Sequence, residues 1–123
     1  MPFDIQYDSD KECVFVIFTG SISMSLVRKY ITELLPVLEK TGCRRLLSDC
    51  THAEIKLSSR EIMQFPKLAA ASPLTARLKR AVLSVPGTSG YELYETISKV
   101  MGQPLRVFTD REEAMEWLMG NND

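Results

Sequence analysis

The chain has 123 residues, the size of one ordinary domain, and its 45% hydrophobic and 25% charged content excludes a disordered chain. With 15 basic against 16 acidic residues, a formal net charge of −1, it lacks the basic footprint that duplex nucleic acid rewards. No apolar run reaches the roughly 18 residues of a membrane span.

Met1-Pro2-Phe3-Asp4 lacks the charged start and apolar stretch of a signal peptide. Cys13, Cys43 and Cys50 are odd in number and form no C-x-x-C pair, which predicts reduced thiols in a cytoplasm. Phe3, Ile5 and Tyr7 alternate with Asp4, Gln6 and Asp8, the period of a strand with one wet face. After a turn at Ser9-Asp10-Lys11, Val14 to Phe18 is apolar at every position. That run predicts a central strand covered on both faces, with the first strand beside it as an antiparallel edge.

Thr19 to Ser23 leads into a helix whose Val27, Ile31, Leu34 and Leu38 share one face. Pro36 should kink its last turns, and Gly42 should end it. Leu46-Leu47 marks a third strand within Cys43 to Asp49, followed by an irregular stretch from Cys50 to Leu57. Ser58 and Glu61 have capping-box spacing, with Ile62, Phe65 and Leu68 on the buried side beyond. Pro66 and Pro73 divide this region into two short helical pieces.

Ala81 to Val85 is a fourth strand, Pro86 to Gly90 a turn, and Ser89 with Glu92 a second capping box. Tyr94, Ile97 and Met101 mark the inner face of the next helix. Leu105 to Phe108 is the last strand. Thr109 with Glu112 caps a final helix that turns Ala114, Trp117 and Leu118 inward. The order β-β-α-β-α-β-α-β-α predicts an α/β fold in a single domain, residues 1–123, with a five-stranded mixed sheet and right-handed crossovers.

Two segments carry a resemblance: Leu78 to Val85, and Pro104 to Leu118 with its strand, capped turn and Ala-x-x-Trp-Leu helix. With the opening hairpin, they resemble the STAS-type domains of anti-sigma-factor antagonists, and above all the SpoIIAA-like family of small bacterial proteins. The resemblance implies a non-catalytic regulatory module whose partner is another protein. In such antagonists an acid ends the third strand, and a serine pair within Asp-Ser-Ser-Gly opens the next helix, its first serine phosphorylated as a switch. Aligning Asp49 with that acid brings Ser58 and Ser59 onto the serine pair, with Leu57 in place of the aspartate and Arg60 in place of the glycine. Asp49, Ser58, Ser59 and Arg60 are therefore the candidates for phosphorylation or partner contact.

The residues themselves leave an alternative. Met63, Phe65 and Leu68 lie in the Pro-broken region, where they could cover an apolar pocket; the resemblance of such relatives to lipid-carrying domains implies a small lipid-like ligand for it. Met24, Met63, Met101, Met115 and Met119 are expected to fill gaps in the core. Asp49-Cys50-Thr51-His52 places the only histidine beside a thiol and a carboxylate, but residues this close in sequence rarely converge on a metal or a nucleophile. Pro86 to Gly90 could hold an anion at a helix start, yet it matches no phosphate-loop spacing. No nucleophile–base pair is present, so neither catalysis, a metal nor a cofactor is expected.

Overall fold

The computed structural model describes residues 2–88 and 90–120. Strands β1 (Phe3–Asp8) and β2 (Cys13–Ile22) form an antiparallel hairpin. The Asp8 carboxylate closes its turn by accepting from the backbone N–H groups of Asp10 and Lys11 at 3.0 and 3.2 Å. Helix α1 (Met24–Thr41) follows. The Ser23 hydroxyl accepts from the Leu26 N–H at its start, and Gly42, at φ 68°, donates its N–H to Leu38 O at its end. Pro36 sits inside this helix without ending it.

Strand β3 (Arg45–Ile55), the short helices α2 (Ser59–Ile62), α3 (Phe65–Ala70) and α4 (Pro73–Ala76), strand β4 (Lys79–Leu83), helix α5 (Tyr91–Val100), strand β5 (Leu105–Phe108) and helix α6 (Arg111–Met119) complete the order. The sheet runs β1-β2-β3-β4-β5, with β1 antiparallel to β2 and every other neighbour parallel. This is the predicted mixed sheet, with Phe3–Asp8 at one edge and Val14–Phe18 inside.

The alternation of side chains divides the core in two. Val14, Val16, Phe18, Leu46, Cys50 and Val82 face the layer formed by α1, the short helices and α5. Cys13, Leu47 and Ala81 face α6, where Ala114, Trp117 and Leu118 cover them. That second cover is partial. It lies mainly over β3, β4 and β5 and reaches β2 at Cys13 and Phe15, so Ile17 farther along β2 is 43% exposed and the apolar run of β2 is wrapped less completely than its composition predicts.

Several predicted boundaries move. Strand β2 continues beyond Phe18, across a register shift between Ile17 and Thr19, to Ile22. The stretch read as irregular after Cys50 becomes the second half of β3 because it pairs with that extension, Thr19 opposite His52 through Ile22 opposite Ile55. The region after Ser58 holds three short helices rather than two, since Ser72 caps a separate turn opened by Pro73. Strand β4 starts two residues earlier than predicted and ends at Leu83. Asp110, not Thr109, caps α6, its carboxylate accepting from the Glu112 N–H at 3.3 Å. Met63, Met101 and Met119 are exposed rather than buried; Tyr91 and Ser98, not Met101, are the most buried residues of α5. The Ser89–Glu92 cap involves a residue outside those described. At the far edge, the Val107 N–H of β5 donates to the Glu95 carboxylate of α5 at 2.6 Å.

Candidate functional site

A cavity of about 110 Å³ lies between the sheet and the layer of α1, α2–α4 and α5. Protein interiors hold few voids larger than a water molecule, and one water needs only about 10–15 Å³ on this kind of measure. Phe18, Leu34, Leu46, Ile62, Phe65 and Val82 supply much of its apolar wall. Phe65 stands edge-on to Tyr94, ring centroids 5.5 Å apart. Gly90 lines the cavity beside α2, and a Cβ added to it would sit 3.1 Å from Ile62 Cδ1 and 3.5 Å from Ile55 Cδ1.

Polar groups interrupt this wall at two places. Arg80 on β4 is 6% exposed. It donates to the Tyr94 hydroxyl at 3.2 Å and to Gln103 Oε1, while Gln103 Nε2 donates to Pro66 O at 2.7 Å. This chain ties β4 to α3 and α5. The Arg80 Nε–H has no hydrogen-bond partner, and among the described residues no carboxylate pairs with the guanidinium. A guanidinium keeps its charge in a protein, so a buried cation lines an apolar chamber.

The Tyr30 hydroxyl lies close enough to Ser48 and Arg80 to interact with both, yet neither it nor the Tyr91 hydroxyl makes a hydrogen bond. Burial holds both phenols above their ordinary range, so they stay protonated donors at neutral pH. At the second place Tyr91 faces the Cys50 thiol, which burial pushes up to about 12.

The Cys13 thiol, buried on the α6 face, is likewise pushed up to about 12 from an ordinary 9.0. Both folded pKa values lie above the unfolded ones, so the contribution is intact below about pH 9 and is lost as the pH climbs towards 12. Urea midpoints followed by circular dichroism should fall above pH 9, and the Cys13→Ala/Cys50→Ala variant should show a shallower fall. An equal slope in both proteins would contradict this assignment.

The residues singled out in the sequence are not brought together. Asp49 lies within β3 rather than at its end. Its carboxylate accepts from Thr51 N and Oγ1 at 3.0 and 2.6 Å and meets Arg111 of α6 at 3.6 Å. Asp49 therefore addresses the α6 face, whereas its neighbour Cys50 points into the cavity. Ser58 caps α2 on the cavity side. Its hydroxyl accepts from the Glu61 N–H at 3.2 Å, and the Glu61 carboxylate accepts from the Ser58 N–H at 3.0 Å. Ser58, Ser59 and Arg60 are exposed on the outer surface. Of the three residues read as a ligand cover, Phe65 lines the cavity, with Ile62 and Ala69 beside it; Met63 points to solvent and Leu68 is not among the lining residues.

His52 is exposed and Cys50 buried, although two residues apart on a regular strand would share a face, because the register shift between the Ile17–Asp49 and Thr19–His52 pairs falls between them. Among the described residues no group of three or more histidine, cysteine or acidic side chains could hold a metal. Arg80, Tyr30 and Tyr91 were not anticipated. The signal for Arg80 is a charge at a cavity-facing position, two before Val82, in a strand that is otherwise apolar from Ala81 to Leu83.

No protein-family model matches the sequence, and no curated protein does. Solved structures do match in three dimensions. The chain is similar to an anti-sigma factor antagonist from Mycobacterium paratuberculosis, with a TM-score of 0.59 and 12% identity over 96% of this chain and 95% of that one. It is also similar to an uncharacterised DUF3478-family protein with a SpoIIAA-like fold from Shewanella loihica PV-4, with a TM-score of 0.61 and 18% identity over 94% of this chain and 91% of that one. Both likenesses run through the whole sheet and its helices, and the chain thus has the SpoIIAA-like, STAS-type fold.

Proposed function

We propose that the chain is a non-catalytic binding module that holds a small apolar molecule in the cavity beneath α2–α4. The observation that carries this reading is a chamber of about 110 Å³ in a core of this size, walled by apolar side chains and a few unpartnered polar ones. Such chambers, mostly apolar with a few convergent polar groups, are the usual form of small-ligand sites. Its cover is built from three helices of four to six residues, elements too short to be stable alone. Thermal melts with 1-butanol should show a rise in Tm. Ala69→Leu, which extends a buried α3 side chain into the chamber, should raise Tm in the absence of butanol and abolish the response. No response in the parent chain would refute the reading.

A second reading has its own support in the fold shared with an anti-sigma factor antagonist: a regulatory module that meets another protein in the cytoplasm through the exposed Ser58, Ser59 and Arg60. Here Ser58 is assigned first to capping. Ser58→Ala should cost about 1 kcal/mol through the lost cap; Ser58→Asp should cost less, because an acid both caps and suits the positive end of the helix. Urea melts of the two variants test this. A stable phosphate on Ser58 in the host, together with an undamaged Ser58→Ala fold, would transfer the assignment to a phosphorylation switch.

A further inference from the structure

We propose that the cavity is built for a carboxylate-headed amphiphile, a short aliphatic acid whose head group pairs with Arg80 and whose chain lies among the apolar side chains. The proposal rests on the binding reading above and specifies its ligand. Burying a cation without a counter-charge is costly, and Arg80 is 6% exposed with an unpartnered Nε–H and no carboxylate beside it among the described residues. Its two hydrogen bonds go to neutral groups, the Tyr94 hydroxyl and the Gln103 amide, which satisfy donors without neutralising charge. A carboxylate reaching Nε would supply the missing charge and a charge-assisted hydrogen bond.

The neighbouring groups suit an oxyanion. The Tyr30 hydroxyl is buried without a hydrogen bond and interacts electrostatically with Arg80; as a protonated phenol it can donate to the second carboxylate oxygen. Among the described residues nothing acidic lines the cavity to repel an anion. A single guanidinium balances one negative charge, which favours a carboxylate over a phosphate dianion, whose second charge would lie uncompensated in an apolar chamber. The volume limits the chain. A cavity of about 150 Å³ holds the six carbons of benzene, so 110 Å³ takes a carboxylate and a tail of only about two or three carbons. The tail would run towards Ile55, Ile62 and Tyr91, away from Arg80.

Calorimetric titration of the full chain with sodium butyrate, 1-butanol and butylamine tests this. Butyrate should bind about tenfold more tightly than butanol, the size of one charge-assisted hydrogen bond, and butylamine should bind more weakly than either. Arg80→Met should remove the preference for butyrate and keep butanol binding. Should that variant fail to fold, Tyr30→Phe carries the test: butyrate should weaken about fivefold with butanol unchanged. Equal binding of butyrate and butanol by the parent chain would overturn the anion site and leave the apolar-ligand reading standing. Binding of neither would overturn both.

Discussion

Replacing Trp117 by alanine is expected to cost about 3–5 kcal/mol, the range for truncating a large aromatic in a core. Trp117 is 7% exposed and anchors the only helix on its face of the sheet among the described elements. Its ring packs beside Phe108 at 5.8 Å between centroids, and Lys79 Nζ stands 4.5 Å above it. The same ammonium donates to Trp117 O at 2.7 Å and Gly120 O at 3.0 Å, so it binds the ring and the helix end together. Removing the ring opens a cavity against Leu47 and Ala81 and leaves α6 held by Ala114 and Leu118. Set against a typical total of about 5–15 kcal/mol, the loss should bring the variant close to unfolding. In the parent chain, tryptophan emission should be blue-shifted and move red in urea. A native red spectrum, or a loss below about 1 kcal/mol, would contradict the packing described.

Gly90→Val should cost about 2–5 kcal/mol, strain and overpacking combined. Gly90 sits at φ 97°, ψ −30°, a conformation that a β-branched residue avoids. A Cβ there would also press on Ile62 Cδ1 of α2 at 3.1 Å. The two causes separate experimentally. Gly90→Val with Ile62→Ala relieves the contact and leaves the strain, so it should be less destabilised than the sum of the single variants. Simple additivity would show that Ile62 is not pressed by the new side chain.

The fold was legible because its cues were local and redundant. The alternation from Phe3 to Asp8, the apolar run of β2 and the helical spacing from Val27 to Leu38 each declare an element from neighbouring residues alone. Errors gathered where pairing decides. Ala53, Ile55 and Leu57 alternate with Glu54 and Lys56, a strand signal that lay open in a stretch read as irregular; it becomes β3 through its partner Thr19–Ile22. The candidate site was harder to read. Ser58 and Glu61 form the capping box their spacing implied, but Asp49 and Ser58 serve opposite faces, because Asp49 has six more residues of strand beyond it in β3. The cavity is assembled from five helices and three strands. Its cation, Arg80, is marked in the sequence only as one charge beside an apolar strand; that no carboxylate among the described residues stands beside it is a property of the folded arrangement and of no segment.

The Glu95–Val107 contact bears on how the molecule behaves at high concentration. A parallel edge strand presents free N–H groups that can recruit a strand from another molecule, the first step of sheet-to-sheet aggregation. On β5 the Val107 N–H is already held by a carboxylate of the chain's own α5, at 2.6 Å, and the strand is only four residues long. An incoming strand would have to expel a charged group before its first hydrogen bond could form. The sheet is thus guarded where it is parallel, and strand addition is left to the opposite border, where β1 carries Asp4, Gln6 and Asp8 along its length.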